Sequence, residues 1–194
     1  MRLVFAALTL LLAAPALADE GNAERGSGLA YTCMGCHGIE NYKNAYPKYS
    51  VPKLGGQNAT YIAAALADYE AGARWHPTMK GMASTLSAQD RADLGAWFQG
   101  AQRTLPGANR VGSAPATAGS CTTCHGQDGV GTEPENPTLA GQHADYLAQA
   151  LNDYRLGKRQ NPIMRSFAGQ LTRDDIRALA DYFSLQPGLA TPRR

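Results

Sequence analysis

Apolar side chains along this chain recur at three- and four-residue spacing, and no run shows convincing alternation of apolar and polar positions. From Asn58 to Ala71 that spacing puts Tyr61, Ile62, Ala65, Leu66 and Tyr69 on one helical face, and Gly72 supplies a stop. Further on, Tyr146, Leu147, Ala150, Leu151 and Tyr154 repeat the face, and Gly157 ends it. A last helix is expected to open at Ser87-x-x-Asp90 and again at Thr172-x-x-Asp175, where a short side-chain oxygen can cap the first free amides and the carboxylate favours the positive helix end. By that phase Leu94, Trp97 and Phe98 point inward in one, and Ile176, Leu179, Tyr182 and Phe183 in the other. A short helix is expected from Asn22 to Thr32. The pattern predicts an all-α fold with irregular loops.

These two sets of elements are copies of one another. Leu54-Gly55-Gly56-Gln57 returns as Leu139-Ala140-Gly141-Gln142, an offset of 85 residues. At the same offset Tyr61, Leu66, Tyr69, Gly72, Arg74, Pro77, Met79 and Leu86 return as Tyr146, Leu151, Tyr154, Gly157, Arg159, Pro162, Met164 and Leu171. Upstream the offset is 88, so the first copy holds three extra residues, in a loop that also crowds together Tyr42, Tyr46 and Tyr49. Packing of that loop onto its own domain is the expectation. The domains expected are 19–103 and 120–194, joined over 104–119 by a linker rich in Pro, Gly, Ala and Ser.

The offset of 88 is set by one motif. Cys33-Met34-Gly35-Cys36-His37 and Cys121-Thr122-Thr123-Cys124-His125 both read C-x-x-C-H, the attachment signal for a c-type haem. Two thiols three positions apart can each form a thioether to one vinyl group of the same porphyrin, and the adjacent His then lies under the iron. A lone C-x-x-C would also suit a zinc site or a thiol-disulfide enzyme. Two copies, each followed at once by His, use every Cys in the chain, which predicts two covalently bound haem c groups and neither a disulfide nor a free thiol.

The N-terminus gives the compartment. Arg2, the apolar run Leu3 to Ala14, Pro15 and the small-residue ending Ala16-Leu17-Ala18 read as a secretory signal peptide over 1–18, cleaved after Ala18. The run is too short to span a bilayer. Such a leader predicts export. With 18 Lys and Arg against 16 Asp and Glu, the charge is too even to argue for nucleic acid.

What binds the far face of each iron decides the chemistry. Met79 and Met164 stand at matching positions, each two residues after a Pro, in a loop between two predicted helices. Met is more often core filler, but the duplication argues against that here. Met82 is matched by Phe167, which cannot bind iron, so packing is the reading there. Met34 lies on the His side. His76 is matched by Asn161 and His143 by Asn58, so neither follows the duplicated plan, and a surface or hydrogen-bonding role suits both. Gln57 with Gln142 and Arg74 with Arg159 do recur. They can donate hydrogen bonds to haem propionates, the plainer reading being a loop Gln and a solvated Arg.

Both C-x-x-C-H motifs, the segment Pro47 to Gln57, Leu139-Ala140-Gly141-Gln142-His143 and Asn161-Pro-Ile-Met-Arg resemble the dihaem cytochromes c4, periplasmic electron carriers built from two class I cytochrome c domains. The resemblance covers the whole mature chain. It implies axial pairs His37 with Met79 and His125 with Met164, and two domains facing each other across a pseudo-two-fold interface. It also implies a soluble or peripherally bound shuttle, taking electrons from a membrane quinol-oxidising cytochrome complex to a terminal haem-copper oxidase or another periplasmic acceptor. An iron with all six positions filled has nowhere to bind substrate, so no enzyme activity is expected. The alternative is a dihaem redox enzyme of peroxidase or thiosulfate-oxidising type, with one displaceable ligand.

Overall fold

In the computed structural model, which describes residues 20–100 and 110–193, the helical phase resolves into α1 (Ala23–Leu29), α2 (Met34–His37), α3 (Ala59–Ala71), α4 (Pro77–Ala83) and α5 (Ala88–Gln99). The second copy gives a 3-10 turn (Ala116–Ser120), α6 (Thr122–His125), α7 (Ala144–Arg155), α8 (Pro162–Ala168) and α9 (Arg173–Leu185). The expected leader and the first part of the expected linker lie outside the described residues. Strand pairing among those described is limited to three isolated bridges, and no helix among them is long and apolar enough to cross a membrane.

Helix ends follow the chemistry of their capping residues. Gly72 closes α3 with φ +78, a conformation that costs a residue lacking Cβ nothing. Ser87 and Thr172 open α5 and α9 with complete capping boxes, in which the Asp90 and Asp175 carboxylates accept from the amides of the cap residues. The faces expected to point inward do so. Leu94 and Phe98 join Ala30 and Ile62 in one core, and Leu179, Tyr182 and Phe183 join Leu147 and Ala118 in the other.

α1 crosses α5 so closely that backbone meets backbone. A Cβ at Gly26 would stand 2.1 Å from the carbonyl oxygen of Asp93. Gly26→Ala must therefore push α1 away from α5, and it is expected to cost about 1–3 kcal/mol of stability. An unchanged denaturant midpoint would count against this reading of the crossing.

The same crossing is held by charge. Arg25 on α1 pairs with both Asp90 and Asp93 on α5, and the Asn22 amide donates to Asp93 over 2.7 Å. The hydroxyl and amide of Ser87, and then Arg25, hold the Asp90 carboxyl down at about 2. The Asn22 amide, followed by Arg25, lowers that of Asp93. A carboxyl lowered by folding stabilises the fold above its unfolded value, about 4, and that contribution disappears as pH falls through the folded value. Stability is accordingly expected to fall between about pH 4 and pH 2. Ser87→Ala should make that fall shallower, as chemical unfolding at stepped pH would show.

Part of the seam between the copies is isologous in the manner of a two-fold dimer, with contacts that return with the partners exchanged. Gln57 donates from Nε2 to the Thr138 carbonyl and accepts from the Thr138 amide, both at 2.9 Å, while Gln142 makes the same pair of bonds with Lys53, also at 2.9 Å. Arg74 donates to the Tyr146 hydroxyl and Arg159 to the Tyr61 hydroxyl. The Trp75 amide donates to the Lys158 carbonyl, and the Gln160 amide to that of Ala73. The glutamines thus spend these groups on the opposite copy's backbone, and the arginines, expected to be solvated, are buried. After α9 the chain runs back across the seam, where Leu189 donates to Ala140 and Ala190 exchanges two bonds with Gly55.

The tyrosine-rich loop departs from expectation. Tyr42 and Tyr46 are exposed, but Tyr49 is buried with its ring 6.1 Å from that of Tyr146 in the other copy. Asp145 anchors the same loop by accepting from the Ser50 amide and hydroxyl and from Lys43. The three extra residues give the loop the reach to cross, and a buried aromatic pair with an ion pair rewards it.

Candidate functional site

Each C-x-x-C-H motif winds into a single helical turn, α2 or α6, so that the two Cys and the His leave the backbone from one short element. Cys33 packs with Leu54, Leu66, Leu86 and Trp97 against the first core, and Cys121 with Leu139, Leu151 and Leu171 against the second. Those leucines are the recurring positions 54, 66 and 86 and their copies. Burial pushes the thiols of Cys33 and Cys121 up, which keeps them neutral beside the apolar core. Cys36 is half-buried and Cys124 exposed, and no disulfide joins any of the four.

The imidazoles are oriented in the same way in both copies. Nδ1 of His37 lies 2.8 Å from the Pro52 carbonyl oxygen, and Nδ1 of His125 lies 2.9 Å from that of Pro137. A carbonyl can only accept, so Nδ1 carries the proton and donates. Nε2 keeps its lone pair, as a metal-binding imidazole requires. Burial lowers both histidines, which favours the neutral ring. Two thiols, a neutral imidazole with Nε2 available and a wall of leucines make a donor set that fits a covalently attached haem.

Met79 and Met164 sit in helices, α4 and α8, where a loop was expected. The reason is local. Pro77 and Pro162 occupy the first helical position, where a missing N–H costs nothing. The residue before each Pro caps the turn: His76 Nδ1 accepts from the Met79 amide at 3.3 Å, and Asn161 Oδ1 from the Met164 amide at 2.9 Å. His76 therefore does share the duplicated plan, through its role as cap acceptor, a role that comparing residue types hides. Both methionines are half-buried, each on a helix packed against the one that carries the recurring Leu66 or Leu151. Met82 is half-buried too, and its counterpart Phe167 is exposed. His143 caps no amide with its side chain.

Comparison with known proteins fits this arrangement. The Cytochrome c family pattern matches residues 111–184. Cytochrome c4 of Azotobacter vinelandii is 36% identical over 187 residues, covering 84% of this chain and 88% of its own. The chain belongs to the cytochrome c4 family. Reduced recombinant cytochrome c4 from Pseudomonas stutzeri superposes with a TM-score of 0.66 at 34% identity, over 88% of this chain and 100% of that one. A protein of Stutzerimonas stutzeri strain A1501 named thiosulfate dehydrogenase electron acceptor is 32% identical, covering 80% of this chain and 79% of its own. Membership makes this a dihaem, c-type electron-transfer protein, and its four cysteines fit two C-x-x-C-H attachment motifs.

Proposed function

We propose that this cytochrome c4 homologue is a two-haem electron shuttle of the periplasm and catalyses no reaction of its own, with His37 and Met79 on one iron and His125 and Met164 on the other. When bound, haem c supplies one-electron redox chemistry at its iron. The chain attaches it through four cysteines, fixes each imidazole by a proline carbonyl and offers each thioether from a capped helical turn. The single observation that carries the reading is the equality of the two copies: the same His-to-carbonyl bond and the same Pro-led, capped methionine turn occur in both. An enzyme of the dihaem peroxidase kind needs one copy to differ at its sixth ligand.

Cys124 is exposed, so a redox partner would reach a haem held there through a small, wet contact. The donor fitting this reading is a quinol-oxidising cytochrome complex of the membrane, and the acceptor a terminal haem-copper oxidase or another periplasmic protein. A second donor class, an enzyme that oxidises thiosulfate, is favoured by the relative named as acceptor for such an enzyme. Export after cleavage at Ala18 completes the proposal. The weak near-infrared sulfur-to-iron band of the oxidised protein tests it: an intensity for two methionines is expected, and a high-spin iron or an intensity for one would overturn the closed-carrier reading.

A further inference from the structure

The loops that leave the two attachment histidines carry opposite charge. From Gly38 to Lys53 the first copy holds Lys43, Lys48 and Lys53 against Glu40, a formal +2, whereas the matching run from Gly126 to Thr138 holds Asp128, Glu133 and Glu135 with no Lys or Arg, a formal −3. Glu40 is neutralised by Arg193 and Lys43 by Asp145. Lys48 is exposed and in no ion pair among the described residues, and Lys53 donates from Nζ to the neutral carbonyl of Gly141. Apolar surface divides in the same way. Ile39, Tyr42 and Tyr46 are 49%, 43% and 87% exposed, while Val130 in the second loop is buried.

The first loop is held in place before anything meets it. The Val51 amide donates to the Tyr42 carbonyl at 2.8 Å and the Asn44 amide to that of Tyr49 at 2.9 Å, which closes the loop below its tip, and Asp145 of the other copy grips its base. A tyrosine has few torsions to immobilise, so one displayed on a fixed backbone loses little entropy on contact. Both ends of the loop belong to the attachment turn: the Ile39 amide donates to the Cys36 carbonyl, and Pro52 supplies the carbonyl that orients His37. A molecule covering the tip therefore rests on a segment that begins and ends at the first proximal imidazole. In the second copy Thr132 donates twice to the Cys124 carbonyl, and exposed Glu133 follows it directly.

Resting on the two-haem carrier reading, we infer that residues 41–48 are a preformed docking surface for a redox protein with an acidic face, with Tyr42 and Tyr46 as contact anchors and Lys48 and Lys53 as the attracting charge. The second copy's carboxylates repel the same partner, so the field assigns it to the first haem. Such steering raises association rates by about 10 to 10³, and tyrosine is among the residue types that dominate the energy of an interface. Two uncompensated lysines fall short of the roughly 4–8 that hold a protein to anionic lipid, which favours a protein partner over a membrane.

The test uses the holoprotein, with haem content by pyridine haemochrome and the sulfur-to-iron band recorded first, so that failure of the carrier reading is seen separately. Isotope-labelled reduced protein is titrated with reduced cytochrome b5, a haem protein whose exposed edge is ringed by carboxylates. With both proteins reduced no electron passes, and amide shifts read binding alone. Saturable shifts are expected over 41–48 and none over 132–136. Raising ionic strength from about 0.01 M to about 0.15 M shortens the Debye length from about 30 Å to about 8 Å and should weaken binding about tenfold. Lys48→Glu should weaken it about tenfold at the lower ionic strength and flatten that dependence. Tyr46→Ser should weaken it about tenfold at both ionic strengths and leave the dependence as it was. Both side chains are exposed, and unchanged amide positions outside the loop will show that the variants fold. Absence of saturable shifts at low ionic strength, shifts centred on 132–136, or an unchanged affinity in Tyr46→Ser would overturn the inference. Loop shifts produced by phosphatidylglycerol vesicles in place of cytochrome b5 would overturn it too, in favour of a lipid contact.

Discussion

Met79→Ala is expected to remove half of the near-infrared sulfur-to-iron band and to lower one of the two reduction potentials, leaving the other copy's spectrum as it was. His/Met ligation raises the potential of a c-type haem, and axial ligands span roughly 0.8 V, so loss of one thioether moves that haem downward within this range. Met82→Ala should leave the band whole. Met82 is three residues on in the same helix, and the matching position in the other copy is Phe167, which has no donor atom. Met79 has instead the capped first turn that Met164 shares. Titration followed by the band, run on both variants, separates the two. A band halved by Met82→Ala and untouched by Met79→Ala would transfer the ligand role.

What was legible in the sequence was what neighbouring residues decide among themselves. The capping boxes at Ser87 and Thr172 and the stop at Gly72 follow from side chains within a few positions of the backbone they serve. The attachment turns are legible for the same reason, since Cys33, Cys36 and His37 need only one helical turn to act together. The methionine segment was half legible: Pro and Met were visible as a pair, but the helix they begin depends on His76 and Asn161, two residue types with one acceptor atom in common use. The seam was not legible. Nothing local distinguishes a Gln that meets a propionate from one that meets the backbone of a domain 81 residues away. Likewise Tyr49 reads as a loop aromatic until Tyr146 is placed beside it.

That seam gives the second large effect. Gln57→Leu should weaken the fold more than Gln142→Leu, and together they should let the two domains unfold separately. Gln57 Oε1 accepts from the amides of Thr138 and Asn58, and Nε2 donates to the Thr138 carbonyl, all at 2.9 Å. Thr138 and Asn58 are both buried, at 2% exposure, so Leu leaves two N–H groups and a carbonyl without partner or water. An unsatisfied buried group costs about 1–3 kcal/mol, which makes Gln57→Leu a loss of about 3 kcal/mol or more. Gln142 makes the matching bonds to Lys53, whose backbone is only partly buried, so water repairs part of the damage there. All four bonds, two from each glutamine, cross the seam, and the remaining ties, the Arg–Tyr pairs, the Trp75 and Gln160 amides, the loop anchored by Asp145 and the C-terminal segment, are spread around them. Calorimetry of the double variant should therefore show two transitions where the unmodified protein shows one, with a larger radius of gyration before the second. A single transition at an unchanged temperature would mean that the glutamines are incidental to the seam and that its other ties hold the two copies together.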